Sequence, residues 1–589
     1  MAIIKPKRNR PKDTKGTFLK MLSYLSSYKW ILAFVMVLCV ISNILALLGP
    51  SYAGSAISEA AAGKGKVDFD MVFYYAKRML LVYLISSMIT VVINVIMMYV
   101  SRYIGKKMRK DVFEKLMRLP VGFFDRNQAG DIISRVSYDI DVVSTCLATD
   151  VVSVLTSLVT VAGSFGMMVY ISPWLALVSL VTIPAATIYT TRIQKKTRPL
   201  FSKRSAKYGE MNGFVEEMFS GQKSIMAYAY ENKVSENFDK VNHEAADAFY
   251  DAAYWGMSMG PSVGFINNLG LALTAMFGSV LYMLEMITLG NISSFVLYSR
   301  KFSGPINEIA NIMNEIYSAL SAAERVFYLL DEPEEVADAM DATELADVKG
   351  DVEFKNVKFG YDKDKTIIHN LNLKADAGKL VAIVGPTGAG KTTIINLLMR
   401  FYDVDEGEIY VDDGKIKGYT RESLRKAYAM VLQDTWVFKG TIFENIAYGK
   451  ENATMEEVVP AAKAAHIHPF IMRLPEGYQT VINEDGGNIS KGQKQLLTIA
   501  RAMLYDAKML ILDEATSNVD TGTEREIQKA MRKLMKDKTC FVIAHRLSTI
   551  QNADTILVVN KGDVVEQGNH EELMAQKGFY YKLYAAQFE

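Results

Sequence analysis

The stretch Val381-Ala382-Ile383-Val384-Gly385-Pro386-Thr387-Gly388-Ala389-Gly390-Lys391-Thr392-Thr393 decides what the second half of this 589-residue chain is. Four apolar residues ahead of a glycine-rich turn predict a buried parallel strand, and Thr392 to Met399 predicts the helix after it. Glycine tolerates positive φ and has no Cβ, so the backbone can wrap closely around an anion. The turn amides and the helix dipole supply partial positive charge, Lys391 adds a whole one, and the Thr392 hydroxyl is placed to ligate Mg²⁺. Every fixed position of a nucleotide-phosphate cradle is present, so Gly385 to Thr393 are candidate binding residues.

Two more apolar runs end in chemistry. Lys508-Met-Leu-Ile-Leu reads as a buried strand and is followed by Asp513-Glu514. In a phosphate-loop protein an acid there holds Mg²⁺, and a carboxylate after it can polarise the attacking water. His545 closes the run Thr539 to Ala544. A lone strand-end histidine is usually structural, but three strand ends with complementary chemistry make this one a functional candidate. His466 and His468, two apart near a helix end, read as surface residues rather than ligands.

Working outward, the length exceeds one core and suggests two to four domains. The net charge of +1 gives no argument for nucleic acid, and none is expected as a partner. Half the residues are hydrophobic and the mean hydropathy is slightly positive, as a membrane half averaged with a soluble half would be. Three cysteines, Cys39, Cys146 and Cys540, lie far apart and offer neither a disulfide framework nor a metal spacing.

Residues 1 to 29 hold eight Lys/Arg against one acid, Asp13. A nuclear-localisation signal at Lys5-Pro-Lys-Arg competes with a juxtamembrane flank, and the apolar run from Trp30 to Leu48 favours the flank. That run is long enough to span a bilayer. Five further spans are expected at about Leu80 to Val100, Val151 to Ile171, Trp174 to Thr191, Pro261 to Leu284 and Ile292 to Leu320. Ser101 to Asp150 is rich in Lys/Arg, whereas Ser172-Pro173 and Glu285 to Asn291 carry none. The positive-inside rule therefore predicts cytoplasmic termini and long loops. If Ser101 to Leu119 continues the second span as helix, it forms a lever roughly 25 to 30 Å long.

In the last span Asn307, Glu308, Asn311, Asn314 and Glu315 share one face, with Ile306, Ile309, Ile312, Met313 and Ile316 opposite. Asn307, Glu308, Asn311 and Asn314 are candidate substrate-pathway residues, because ionisable groups within the membrane mark function by default; the alternative is that this stretch lies below the bilayer and faces cytosol. Arg300 and Lys301 meet an anion or pair with Glu308. The 31 methionines suit a compliant wall or lipid-facing packing equally. Asp331 to Asp347 has eight acids and no base. The expected domains are thus a helical membrane domain over 1–330, an acidic linker over 331–350, and an α/β nucleotide domain over 351–589.

These features together resemble the ATP-binding cassette (ABC) transporters over nearly the whole chain. Tyr361 stands in the position of the adenine-stacking aromatic, Gln433 in the glutamine loop, and Ile489-Ser490-Lys491-Gly492-Gln493 at the signature. Ser517-Asn-Val-Asp520 matches the dimer-contacting loop and His545 the switch histidine. Phe123-Phe124-Asp125, Gly130-Asp131-Ile132, Ser134-Arg135, Asn212 to Glu217, Gly221-Gln222 and Pro305 to Glu308 look like the exporter-type six-helix domain.

The resemblance implies a half-transporter that dimerises in the cytoplasmic membrane, with ATPase domain and both termini cytoplasmic. ATP and Mg²⁺ are the implied cofactors, with Thr392, Gln433 and Asp513 at the metal and Glu514, His545 and Gln433 catalytic. Each ATP would lie between the phosphate loop of one chain and Ser490, Lys491, Gly492 and Gln493 of the other, with Asp520 at the dimer contact. The turns near Ser137 to Asp141 and Tyr228 to Lys233 are candidate contacts between levers and nucleotide domains. Two departures stand out: Lys491 replaces the first signature glycine, and Asp485 follows Glu484 where exporters often carry a base.

An intact Glu514 beside an altered signature resembles one member of a heterodimeric multidrug exporter, whose partner has a degenerate catalytic site. The expected activity is ATP-driven export of amphipathic or hydrophobic compounds. A homodimeric lipid flippase or exporter is the alternative, and an ATP-gated channel or receptor is the alternative of a different class. Glu514 discriminates, since a module that only binds nucleotide needs no water-polarising carboxylate.

Overall fold

A computed structural model describes residues 14–63, 65–362, 365–432, 435–483, 486–513, 520–543 and 550–588; the side chains at 183, 186, 187, 259, 306, 307, 309–311, 314, 521, 587 and 588 are outside that description. The chain divides into two compact units, Met1–Arg118 with Gln128–Pro333, and Leu119–Asn127 with Glu334–Glu589.

The helices up to the end of the first unit include α1 (Lys29–Ala60), α2 (Phe69–Leu116), α3 (Val121–Arg126), α4 (Val151–Ile171), α5 (Pro173–Ser220), α6 (Glu231–Met283) and α7 (Leu289–Asp331). Polar side chains start three of them. Asp68 accepts from the Met71 N–H, Ser172 from Leu175 with Pro173 in the first turn, and Thr288 from Asn291. Among the described residues, four helical stretches are long and apolar enough to cross a membrane: Lys29–Ala60, Phe69–Leu116, Ala129–Ile171 and Glu231–Met283. Pro173–Thr182 is a shorter apolar stretch, and the remaining expected span lies in α7. The lever expected after the second span is continuous with it, since α2 runs unbroken for 48 residues.

Pro50 sits inside α1 and cannot donate to the Ala46 carbonyl. Lys301 Nζ fills that place at 2.6 Å, the Tyr298 hydroxyl donates to Leu47 O at 2.5 Å, and Ser294 Oγ to Pro50 O at 2.8 Å. Lys301 thus satisfies the carbonyl that the proline leaves open, and the other two donors of α7 bond the backbone beside it. Lys301 is therefore engaged by a backbone carbonyl of α1, where the sequence suggested an anion or Glu308. Gly54 and Gly290 allow the close approach, because a Cβ on Gly290 would stand 1.9 Å from Gly54 O.

Between Ala129 and α4 the chain stays helical with two π turns, Arg135–Asp139 and Cys146–Asp150. Ser137 to Asp141 is therefore helix and not the expected turn. Asp139, almost fully buried, accepts from Arg325 at 2.6 and 2.8 Å. A turn does occur at Tyr228 to Tyr230, where Ala229 takes φ +50°.

The second unit contains β1 (Val352–Phe359), β2 (Ile368–Ala375), β3 (Leu380–Val384), α8 (Lys391–Leu398), β4 (Glu406–Val411), β5 (Tyr428–Val431), α9 (Lys491–Tyr505), β6 (Met509–Asp513), α10 (Thr521–Met535), β7 (Thr539–Ile543), β8 (Thr555–Asn560) and β9 (Asp563–Gly568). An antiparallel sheet runs β2-β1-β4 and ends on Gly414–Lys415, and a six-stranded sheet runs β9-β8-β3-β7-β6-β5. In β3, Val381 and Ile383 face one core cluster while Ala382 and Val384 face the other. Burial on both faces explains why such strands read as unbroken apolar runs.

The acidic stretch after α7 is docked on this unit rather than loose. Arg421, 8% exposed at its side chain, holds Asp338 at 3.0 Å and Asp403 at 2.9 Å, Arg400 reaches Asp338 at 3.5 Å, and Arg425 pairs with Glu335. Composition made it look like a tether because its countercharges lie some 60 to 90 residues further on.

Candidate functional site: a phosphate cradle at the strand ends

Parallel register brings the chemistry together. Strand β7 lies between β3 and β6, with Ile543 opposite both Ile383 and Asp513. The C-terminal ends of these three strands therefore lie side by side, where ligands of open α/β sheets bind. On the far side of β6, Val431 of β5 pairs with Leu512. Gln433, Glu514 and His545, which follow β5, β6 and β7 in the chain, lie outside the described residues, as do Glu484 and Asp485.

The cradle is tightly specified by its backbone. A Cβ on Gly385 would stand 2.1 Å from Val559 O, and Gly390 has φ +106°. Gly390 is also the N-cap of α8 and supplies no side-chain acceptor, so the first-turn amides of α8 have no side-chain cap. Lys391 Nζ donates to Gly385 O at 2.8 Å and Pro386 O at 3.1 Å, folded over the loop formed by Thr387, Gly388 and Ala389. Burial lowers the Lys391 pKa below the ordinary lysine value, with the nearby Asp513 carboxylate pulling it back up. A phosphate arriving here meets a half-buried ammonium and a helix N-terminus at once.

Asp513 ends β6 with a buried carboxylate oxygen, Oδ1. Together with the Thr392 hydroxyl in the first turn of α8 it offers the hard oxygen donors that suit Mg²⁺. Thr393 is buried, and its Oγ1 lies 3.3 Å from the Tyr361 hydroxyl. Tyr361 is 41% exposed, and its hydroxyl also accepts from Asn396 Nδ2 at 3.0 Å, so the aromatic stands beside the start of α8.

The signature segment starts α9. Ser490 is the N-cap, accepting from the Gln493 N–H, while Gln493 Oε1 accepts from the Ser490 N–H. Lys491 is exposed on the first turn and Gly492 is buried. Asp520 caps α10 by accepting from Thr523 N at 2.9 Å, and that backbone hydrogen bond holds its carboxyl below the usual range.

This strand-loop-helix cradle, with a strand-end acid level with it, is accompanied by sequence matches over both units. Residues 32–306 match the ABC transporter transmembrane region and 368–517 the ABC transporter domain. The chain is an ABC transporter of the exporter type. A fatty acid ABC transporter ATP-binding/permease protein of Mycobacterium bovis is 46% identical, over 81% of this chain and 75% of that protein. An ATP-dependent lipid A-core flippase of Idiomarina loihiensis is 34% identical over 98% of each chain. A bacterial Atm1-family ABC exporter with ATP bound matches with TM-score 0.74 and 29% identity, covering 95% of this chain and 98% of that one. The transporter is a membrane protein whose cassette domain hydrolyses ATP coupled to transport, and half-transporters of this kind act as dimers.

In α7 of the exporter Glu308 and Glu315 are exposed, Ile312 is buried and Met313 is 40% exposed. The side chains of Asn307, Asn311 and Asn314 lie outside the described residues. His468 is hydrogen-bonded to Tyr478 at 2.8 Å and His466 lies 3.1 Å from Glu526. Among the described residues no metal-holding cluster occurs. Two residues beside the cradle escaped the sequence reading. Asn396 was hidden inside an ordinary helix, and Tyr402 carried no signal except the aromatic pair Phe401-Tyr402.

Proposed function

We propose that two such chains close around two ATP molecules to export an amphipathic or hydrophobic compound, of multidrug type, across the cytoplasmic membrane. The observation that carries the reading is the uncapped N-terminus of α8 beside the half-buried Lys391, fused in one chain to a bundle of apolar helices. In this reading Gly385 to Thr393 and Tyr361 bind ATP, and Thr392, Gln433 and Asp513 hold Mg²⁺, which neutralises phosphate charge when bound. Glu514 orients the attacking water, and His545 and Gln433 complete the site. Ser490, Lys491, Gly492 and Gln493 face the partner's ATP, with Asp520 at the dimer contact. Cassette and termini are cytoplasmic, on the Lys/Arg asymmetry of the loops.

Lys491 supports pairing with a different subunit, since an intact cradle coexists with an altered signature. The printed names of the relatives, one for a fatty acid and one for lipid A-core, favour a second reading, a homodimer that moves acyl lipids. The chain purified alone separates the two: robust hydrolysis at two equivalent sites supports the homodimer, and weak hydrolysis restored by a second subunit supports the heterodimer. For the hydrolytic assignment, Glu514→Gln is expected to bind ATP normally and lower turnover by about 10² or more. Hydrolysis by that variant at the parent rate would remove Glu514 from the mechanism.

A further inference from the structure

The C-terminal half of α5 and the N-terminal half of α6 are joined by a ladder of charge that stops abruptly. Lys207 bridges Glu210 of its own helix at 2.9 Å and Glu244 of α6 at 2.6 Å, and Lys203 lies 3.8 Å from Asp251. The next rung has no carboxylate: Lys196 Nζ stands 3.3 Å from the centroid of the Trp255 ring. At about 100° per residue Arg192, Lys195, Lys196, Lys203 and Lys207 share one face of α5, so the bases continue as a stripe after the acids of α6 have ended. No acid occurs from Val151 to Gly209, nor from Ala252 to Leu284. Arg192, Lys195, Lys196 and Arg198 are all exposed and, among the described residues, make no ion pair.

The apolar stretch of α5 sets the depth at which the pairing stops. At about 1.5 Å per residue Arg192 comes about 30 Å along the helix from Pro173, the thickness of a bilayer's hydrocarbon core. Arg198 is about 9 Å further, at the level of the headgroups, while Lys203 and Lys207 lie beyond it in water. The aromatics of α6 mark the same depth. Tyr254, 60% exposed, meets Trp255 edge to face and stacks on Tyr250, and Trp and Tyr are the side chains that collect at the membrane–water interface. A carboxylate on this rung would cancel the band and repel phosphate, whereas an indole holds the Lys196 ammonium without removing its charge.

We propose that Arg192, Lys195, Lys196 and Arg198 form a binding site for the phosphate headgroup of an anionic phospholipid of the cytoplasmic leaflet, with Trp255 beside it. The site rests on the reading that this end of α5 is cytoplasmic. The two arginines offer paired N–H donors to phosphate oxygens and the two lysines add compact charge. Phosphatidylcholine gains less here, because its own choline cancels the phosphate's field. Lys203 and Lys207 take no part, since carboxylates already hold them.

Native mass spectrometry of the full-length protein, loaded in detergent with equal amounts of phosphatidylglycerol and phosphatidylcholine, tests this. The parent should retain phosphatidylglycerol preferentially. Each base near an anionic headgroup is worth about fivefold. Lys195→Gln with Lys196→Gln should therefore lower that retention by about tenfold or more, while Lys203→Gln with Lys207→Gln, of the same net charge, should lower it by less than about twofold. Arg192→Gln with Arg198→Gln carries the same expectation and serves if the lysine pair misfolds. A parent without preference for phosphatidylglycerol, or equal losses from the bare and the paired bases, overturns the proposal. Glycerol 1-phosphate is the soluble headgroup: if millimolar amounts strip the lipid, the site is one for a soluble phosphate and the lipid assignment is overturned. Labelling of Ser202→Cys in cells with an impermeant maleimide tests the topology separately; modification from outside means that the cytoplasmic reading fails, whatever the lipid preference.

Discussion

Helices α8 and α9 both begin at segments assigned to phosphate, yet they treat their first-turn amides in opposite ways. Helix α8 starts at Gly390, which has no side chain, and its amides are left to a ligand. Helix α9 starts at Ser490, whose hydroxyl accepts from the Gln493 N–H while Gln493 Oε1 accepts from the Ser490 N–H, so one first-turn amide is capped from within. A side-chain cap contributes about 1 kcal/mol, so α9 begins partly capped while α8 begins with no side-chain cap and gains more from an anion. The first turn of α8 is therefore the more open of the two to an anion.

The largest effect expected from this contrast is at the two lysines beside these helix starts. Lys391 is half-buried over the loop, whereas Lys491 is exposed on the first turn of α9. Lys391→Ala removes a charge-assisted contact from a partly dry site and should weaken ATP binding by about 3 kcal/mol, or roughly 10²-fold. Lys491→Ala should change ATP affinity of the isolated chain by less than about threefold, since an exposed charge is screened. Titration with a fluorescent ATP analogue checks both, and similar losses in the two variants would break the contrast.

An intermediate effect is expected where Lys491 replaces glycine. Lys491→Gly lets the backbone approach a partner's phosphate and should gain one or more hydrogen bonds at the transition state. That corresponds to about 1 to 3 kcal/mol, or tenfold to a hundredfold in the hydrolysis rate of the site it completes. The reading is single-turnover ATPase of the assembled transporter. An unchanged rate would mean that the lysine side chain already serves the phosphate.

How much of this was visible in the residues depends on how far a signal reaches. The cradle was legible because Gly385 to Thr393 is contiguous and its geometry is local: strand, turn and helix start within thirteen residues. The strand ends of β6 and β7 were legible for the same reason, although their adjacency to β3 comes only from the parallel register. The docking of α3 on Tyr402 was not, because it joins positions 277 residues apart. Phe123-Phe124-Asp125 was noticed as a motif, but nothing within it points to Tyr402. Lys301 shows the limit again: its partner is a backbone carbonyl on α1, and a carbonyl has no letter in the sequence. The arginines that hold the acidic stretch are likewise too distant for composition to reveal.

The smallest effect gives the contrast between α8 and α9 its sharpest form. Ser490→Ala removes the acceptor for the Gln493 N–H, and the reciprocal bond from the Ser490 N–H to Gln493 Oε1 then has only half its support. The expected loss is about 1 kcal/mol, which for a nucleotide unit of this size lowers Tm by about 2 to 4 °C. Ser490→Thr, which keeps the hydroxyl, should lose little. Both measurements are made without nucleotide, because the cap is a feature of the free chain. Gly390→Ala is the matching change on α8, and there the positive φ and the Ile368 side chain, 3.0 Å from a new Cβ, oppose it in the free chain as well. If Ser490→Ala leaves Tm unchanged in the absence of ATP, the Gln493 amide is not capped in solution, and the two helix starts differ only in sequence.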